Sequence, residues 1–103
     1  MENKLPLKIY PLAQNDMENI FRYISIELGN PQSAIKLIDE LQEQFTLICE
    51  FPESCPLVKN EYLKDKTLRK LLVKNYIAFY RVKNNEVQVV RVLSNFQNYI
   101  DIL

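Results

Sequence analysis

Cationic side chains interrupt the apolar runs in the C-terminal third of the sequence, and this pattern has the clearest chemical meaning. Arg81 and Arg91 stand in two consecutive β-prone runs, so both can project from one face of a sheet. Guanidinium groups beside aromatic rings are typical of surfaces that bind nucleic acids. The pattern therefore predicts a cationic sheet face, although arginine stems also cover apolar sheet surface without any partner.

Charge is divided unevenly between the two halves of the sequence. Residues 1–55 carry four basic and nine acidic side chains, a net charge of −5, whereas residues 56–103 carry nine basic and four acidic ones, a net charge of +5. The excess in the second half indicates a polyanionic partner. The alternative is that the two halves neutralise each other within the fold.

The residue types that usually supply general bases and metal ligands are scarce. The sequence has no histidine, and its two cysteines, Cys49 and Cys55, have no partner cluster, so we expect no metal and no cofactor. Reduced thiols are the simplest interpretation of the cysteines, and a disulfide between them is the weaker alternative. No apolar run approaches the roughly 18 residues of a membrane span, and MENKLPLKIYP lacks the apolar region of a signal peptide, so a cytoplasmic location is expected.

Apolar periodicity predicts the elements that position these side chains. The 103 residues suit a single domain over 1–103. Leu7–Tyr10 is predicted to be an edge strand, followed by an amphipathic helix that ends at the break Gly29-Asn30-Pro31 and by a second helix over Pro31–Glu50. So short a turn should make the helices pack antiparallel. The apolar stripe predicted for the first helix is Ala13, Met17, Ile20, Phe21, Ile24 and Leu28.

Three antiparallel strands are predicted after a polar loop over residues 53–66. They run over Thr67–Val73, Tyr76–Val82 and Val87–Leu93, and asparagines in the last turn tolerate the positive φ that it needs. Phe96–Leu103 is expected to form a short helix or strand. The fold class is therefore α+β, with an N-terminal β-strand, an antiparallel helical hairpin packed on a small antiparallel sheet, and a short C-terminal segment.

Alternation along the strands predicts which side chains the helices cover. Tyr80 belongs to one face of the second predicted strand, and Val90 and Val92 share one face of the third. If the helices cover those faces, Arg81 and Arg91 lie on the uncovered face.

The order and spacing of these features, rather than any one motif, resemble a known family. The most specific parts are Asn30-Pro31 followed by Ala34, then Phe51-Pro52, and then Arg69 with the later Asn75-Tyr76 and Tyr80. The last of these fall in the run RKLLVKNYIAFYRV, which VVRVLSNFQNYIDIL follows. Over nearly the whole chain they resemble the RelE/ParE toxins of type II toxin–antitoxin systems, of the plasmid-stabilisation type. The resemblance implies a cytoplasmic growth inhibitor held silent by a cognate antitoxin. Some members of that family cleave mRNA on the ribosome, and others poison DNA gyrase.

The sequence departs from the ribonuclease branch of that family. Those enzymes carry an arginine directly after the aromatic residue of the second strand, where this chain has Ile77 after Tyr76. A basic run that often ends the third strand is replaced by Ser94-Asn95-Phe96-Gln97-Asn98. The catalytic set is incomplete, so no catalytic residue is assigned and enzymatic activity stays an open question. A ParE-like action on DNA gyrase is favoured; a ribosome-dependent mRNA endonuclease and a non-toxic antitoxin-binding module are the alternatives.

Candidate residues for target contact are the basic ones of the predicted sheet: Arg69, Lys70, Lys74, Arg81 and Arg91. Arg69 holds the most family-like position, and its alternative role is an ion pair with a helix carboxylate such as Glu40 or Glu43. The loop lysines Lys59, Lys64 and Lys66 are either solvated or in contact with the target.

Tyrosines are the remaining candidates for proton transfer. Tyr76, Tyr80 and Tyr99 are all expected to pack rather than to react, because an ordinary tyrosine is a reluctant base at its pKa of about 10. The antitoxin is expected on the apolar and basic surface that the sheet and hairpin leave open, in a heteromer and with a homodimer as a further option; no membrane partner is expected.

Overall fold

The computed structural model describes residues 4–103 and places a helical hairpin on a four-stranded sheet. Glu2, counted above among the acidic residues, lies outside the described part. The α+β prediction is confirmed. In chain order the elements are β1 (Leu7–Ile9), α1 (Pro11–Arg22), a π-helical segment (Tyr23–Glu27), α2 (Pro31–Glu50), β2 (Arg69–Val73), β3 (Tyr76–Lys83), β4 (Glu86–Ser94) and α3 (Tyr99–Ile102). Over residues 4–103, none of the helices is long and apolar enough to cross a membrane.

The turn of the helical hairpin follows the predicted chemistry. Gly29 adopts a φ of +63°, and the Asn30 side chain accepts a hydrogen bond of 3.2 Å from the backbone N–H of Ser33, which caps α2. The π-helical segment that precedes this turn has no counterpart in the sequence prediction. Its Leu28 N–H donates to the carbonyl five residues back, on Tyr23, at 3.0 Å.

The wider π-helical turn changes which side chains of the first helix reach the core. Ala13, Met17 and Ile24 are buried as predicted. Phe21 and Leu28 are instead 37% and 59% exposed, so their place in the apolar stripe is wrong. For Leu28 the reason is that the stripe assumed 3.6 residues per turn throughout, whereas the π-helical segment before it departs from that period; Phe21 lies in α1, ahead of that segment.

The sheet is mixed rather than wholly antiparallel. Its strand order is β1-β4-β3-β2, with β2–β3 and β3–β4 antiparallel and β1 parallel to β4. The prediction of an edge strand at the N-terminus is confirmed, whereas the prediction of an antiparallel sheet fails for this strand. The chain returns from β1 to β4 by way of the hairpin and two further strands, and that long connection permits a parallel pairing.

A bulge in β4 overturns the predicted alternation. Tyr80 pairs with Val89 whereas Phe79 pairs with Arg91, so Val90 is the extra residue on the bulged strand. Val89 therefore joins the core beneath the helices, while Val90 packs on the opposite face. The expectation that Val90 and Val92 share the helix-covered face is wrong, because a single extra residue inverts the alternation beyond it.

Each face of the sheet carries a hydrophobic core. On the helix-covered face, α1 and α2 pack against strand residues that include Leu71, Val73, Ala78, Tyr80, Val87, Val89 and Val92. On the other face, called here the outer face, a second core forms from Val58, Leu63, Leu68, Ile77, Phe79 and Leu93. Residues 57–68, called here the strap, lie over it, and a hydrogen bond of 2.8 Å from the Val58 N–H to the Leu68 carbonyl joins the two ends of the strap.

Candidate functional site

The outer face of the sheet, predicted to be open, is covered in the described structure. Phe79 is fully buried and Ile77 is 3% exposed. The ring of Tyr99 from α3 packs on the Phe79 ring with centroids 5.0 Å apart, which confirms the expected packing role of Tyr99. Val58 and Leu63 of the strap cover the same core. The sequence predicts a polar loop here, and its apolar residues are too few and too irregularly spaced to indicate that the loop covers a core.

Arg81 is engaged on every side of its guanidinium group. Its Nη1 donates to Asp65 at 2.8 Å, its Nε donates to the Gln88 side chain at 2.8 Å, and its Nη2 donates to the Tyr10 hydroxyl at 3.1 Å. The guanidinium also lies 5.6 Å from the centre of the Tyr10 ring. These contacts tie the strap and the start of α1 to the sheet.

The partner carboxylate of Arg81 is held in its charged form. Burial alone raises the pKa of Asp65, but hydrogen bonds from Thr67 and Arg81 outweigh it and lower that pKa below its ordinary value. The same contact raises the pKa of Arg81. The pair therefore remains ionised at neutral pH, and its charges largely cancel.

Arg91 forms a bidentate ion pair with Asp16 of α1. Its Nε and Nη2 donate to the two carboxylate oxygens at 2.7 and 2.9 Å. The Val92 N–H donates to Asp16 as well, at 2.9 Å. Because β1 pairs with β4 only over Val87–Val89, this carboxylate serves the strand edge that β1 leaves uncovered.

The two strand arginines therefore do not form an open cationic face, and that part of the sequence prediction is wrong. Each is paired with a carboxylate from a different element, and each side chain keeps 22% of its surface exposed. The alternative drawn from the charge asymmetry, in which the halves neutralise each other, is the better description of Arg91 and Asp16.

Arg69 and Tyr80 fasten the connection that follows α2. They face each other across β2 and β3 on the helix-covered side. The Tyr80 hydroxyl donates to the Pro52 carbonyl at 2.8 Å, and Arg69 Nη1 donates to the Cys55 carbonyl at 2.7 Å. The predicted alternative for Arg69, an ion pair with Glu40 or Glu43, is wrong, because backbone carbonyls take its place.

Lys70 and Lys74 are the most accessible of the five candidates. Lys70 lies opposite Phe79 on the outer face of the edge strand β2, where it is exposed. Lys74 lies in the β2–β3 turn with a φ of +53°, and its Nζ is 3.5 Å from Glu40. Both partners of that pair are about half exposed, at 55% and 43%, so it adds little stability. The fold thus distributes the five basic residues over several surfaces.

Tyrosine chemistry is restrained by burial. Burial, with the Cys55 thiol next to it, raises the pKa of Tyr80, and burial together with nearby Tyr23 raises the pKa of Tyr76. Both hydroxyls hold their protons more tightly than a free tyrosine, so even less of the tyrosinate form that could act as a general base is present at neutral pH. Cys49 and Cys55 are free thiols. Within residues 4–103, no three cysteine or carboxylate side chains are grouped to hold a metal ion.

An exposed apolar surface lies at the tip of the helical hairpin, and sequence reasoning missed it. Tyr23, Ile26 and Leu28 are 52%, 68% and 59% exposed. Tyr23 and Leu28 line two grooves, of about 610 and 330 Å³, that meet at Tyr76, whereas Ile26 lines a separate groove with Phe21 and Arg22. Lys36 and Lys74 are the charged residues of the smaller groove. We call Tyr23, Leu28, Lys36, Lys74 and Tyr76 the hairpin-tip surface. The signal was available: Ile24, Ile26 and Leu28 alternate and cannot all lie on one helical stripe.

A strand, a helical hairpin, a mixed sheet and a short C-terminal helix, in this order, define a RelE/ParE-like toxin fold. The family model described as the ParE toxin of type II toxin–antitoxin systems, parDE, matches residues 7–99. The chain belongs to that family, and the resemblance inferred from the sequence is confirmed. Membership implies a cognate antitoxin as its partner. No curated protein sequence matches the chain.

Solved structures share the fold at low sequence identity. A chain from the structure of the chromosomal ParDE toxin–antitoxin system of Pseudomonas aeruginosa superposes with a TM-score of 0.70 at 21% identity, over 90% of this chain and 98% of the other. The RelBE2 toxin–antitoxin complex from Mycobacterium tuberculosis gives 0.55 at 12% identity, over 88% and 98%. A conserved hypothetical protein from Helicobacter pylori gives 0.54 at 22% identity, over 87% and 93%.

Proposed function

We propose that this ParE-family chain inhibits growth in the cytoplasm as one toxin domain that binds DNA gyrase and does not cleave RNA. The observation that carries the proposal is the covered outer face. RelE-type ribonucleases use basic residues on an open sheet face, whereas here Phe79 is fully buried beneath the strap and α3.

The chemistry of RNA cleavage points the same way. Attack by a ribose 2′-hydroxyl needs a base, cations at the crowded phosphate and an acid for the leaving oxygen. Arg81 and Arg91 are already bonded to carboxylates, and Tyr80 donates to the Pro52 carbonyl. These side chains therefore act inside the fold, which leaves binding to a protein target as the simpler mode of action.

A supercoiling assay tests this proposal directly. Purified toxin added to DNA gyrase and relaxed plasmid is expected to inhibit supercoiling or to trap cleaved DNA, and an equimolar amount of its antitoxin is expected to restore activity. Unchanged supercoiling at a large excess of toxin contradicts the proposal. New cleavage ends within codons of ribosome-bound messages support the endonuclease alternative, and unimpaired growth on overexpression supports the non-toxic binding module.

We further propose that the cognate antitoxin covers the hairpin-tip surface. Tyr23 and Leu28 expose apolar surface in the two grooves that meet at Tyr76, and the nearby charges Lys36 and Lys74 favour a partner segment that combines apolar side chains with carboxylates. Such a segment covers the exposed apolar side chains and neutralises the excess positive charge of the smaller groove.

Matched charge insertions test this contact. Leu28→Asp, in the smaller groove, is expected to weaken antitoxin binding at least about 30-fold, the effect of losing a central apolar contact of about 2 kcal/mol. Tyr62→Asp, at a strap position that is 78% exposed, serves as the control and is expected to leave affinity unchanged. Equal affinities of the two variants, measured by calorimetry, contradict this surface.

A further inference from the structure

The positive charge of the second half of the chain is only partly used inside the fold. Arg81 and Arg91 are neutralised by carboxylates, and Arg69 is bonded to backbone carbonyls. The charges that remain accessible belong to lysines. Among residues 4–103, neither Lys64 nor Lys83 forms an ion pair, and both are exposed.

These two lysines line one groove. Lys64 of the strap and Lys83 at the end of β3 border an open groove of about 520 Å³ together with Asp65, Thr67, Arg81 and Val82. Asp65 is the acidic residue in this lining, and its carboxylate is already bonded to Arg81 and Thr67. The lining therefore has three cations against one anion that is already fully engaged.

The fixed neighbours keep this groove cationic. Arg81 cannot swing out without giving up its bonds to Asp65, Gln88 and Tyr10. Lys66, next to the groove, is anchored by the Asn60 and Glu61 carbonyls at 2.9 and 3.0 Å. These contacts hold the strap in place, so the positive charge of Lys64 stays near that of Lys83.

The chemistry of the groove favours phosphates over a protein segment. Arginine forks match carboxylates bidentately, but the groove arginine is occupied, and the free cations are lysines, which bind phosphates as point charges. Val82 is the apolar residue of the lining and is 40% exposed, so the groove lacks the large buried anchors typical of protein interfaces. The backbone of a DNA duplex carries closely spaced negative charges, and it therefore fits two exposed lysines in a shallow groove better than a protein segment does.

We propose that the Lys64–Lys83 groove binds the phosphate backbone of double-stranded DNA. The inference rests on the proposed function in that gyrase holds a DNA duplex beside any protein bound to it. The groove and the hairpin-tip surface lie at opposite ends of β3, at its turns to β4 and β2, so one toxin can contact DNA and protein at once.

Salt-dependent binding tests the proposal with the full chain and a short fluorescein-labelled DNA duplex. For each neutralised phosphate the logarithm of the binding constant falls with the logarithm of salt concentration with a slope of about −0.9. Lys64→Ala with Lys83→Ala is therefore expected to make the slope shallower by about 1.8. Lys36→Ala with Lys74→Ala removes the same charge at the hairpin tip and is expected to keep the wild-type slope.

Four outcomes overturn the proposal: no binding of the duplex, equal loss of slope in both double variants, tighter binding of single-stranded RNA than of DNA, and binding of polyglutamate in place of DNA. Supercoiling assays on the same preparations separate the two proposals. Gyrase inhibition without DNA binding removes only the groove proposal, and DNA binding without any effect on gyrase removes only the gyrase proposal.

Discussion

The two faces of the sheet are built on different principles. The helix-covered face is built mostly from aliphatic strand residues around the buried Tyr80, and its cover, α1 and α2, comes from elements with strong helical periodicity. The outer face mixes an apolar centre around Phe79 with ion pairs at its margins, and its cover is the strap and the four-residue α3. One face is closed by regular elements and the other by irregular ones.

This difference explains why arginine in a strand is a weak indicator of a free cationic surface. Arg81 lies 16 residues from its partner Asp65, and Arg91 lies 75 residues from Asp16. Neither separation has a local sequence signature. The charge of a strand is therefore known only when the long-range cover of that strand is known.

The largest effect on stability is expected from removing the Phe79 ring from the core of the outer face. Phe79→Ala is expected to lower the free energy of unfolding by about 3–5 kcal/mol, as for a fully buried phenylalanine. Leu72→Ala, on the outer face of the neighbouring strand but 61% exposed, is the control and should change it by less than about 1 kcal/mol. Similar small effects in urea unfolding of both variants contradict a covered outer face.

The next largest loss of stability is expected from breaking the ion pair between Arg91 and Asp16 at the margin of the outer face. Asp16→Ala leaves Arg91 without its carboxylate and the Val92 N–H without an acceptor, so a loss of about 2–3 kcal/mol is expected. A double-mutant cycle with Arg91→Ala should give a coupling energy of at least about 1 kcal/mol. Additive losses in that cycle count against a native pair.

Loss of the Asp65 contacts that hold the strap, by substitution or by acid, is expected to cost less stability than loss of the Asp16 contacts. Asp65→Asn is expected to cost about 1 kcal/mol at neutral pH, since it weakens the bonds to Arg81 and Thr67. The folded protein lowers the pKa of Asp65, so its contribution is complete above the unfolded pKa of about 3.9 and is lost as pH falls through the folded value. The stability difference between wild type and variant should therefore shrink below pH of about 3.9. A difference that grows on acidification contradicts the assignment.

The smallest effect is expected at the accessible pair Lys74–Glu40. Glu40→Gln should change the free energy of unfolding by less than about 0.5 kcal/mol, because both side chains are largely solvated. Added salt should erase even that difference. A loss comparable to that of Asp16→Ala would remove the distinction between surface and margin pairs.

The sequence was sufficient for features with local causes. Gly29 and Asn30 end one helix and cap the next through their own backbone and side-chain preferences. Asn84 and Asn85 adopt φ values of +54° and +62° in the β3–β4 turn, as predicted. Family membership followed because these local signals recur in a fixed order along the chain.

Features with non-local causes could not be predicted. The bulge at Val90 depends on the register of β3, and the cover of Phe79 depends on a strap whose residues 57–68 show no regular period. The hairpin-tip surface arises where a π-helical segment departs from 3.6 residues per turn. The surfaces proposed for partners lie where local periodicity fails, beside the hairpin turn and along the strap.

Contact between the Phe79 and Tyr99 rings is the most direct test of a covered outer face. The ring centroids lie 5.0 Å apart, so nuclear Overhauser cross-peaks between their ring protons are expected in the full chain in solution. Absence of those cross-peaks, together with broadening of the Phe79 ring signals by a soluble paramagnetic probe, would show an open face and contradict the proposed mode of action.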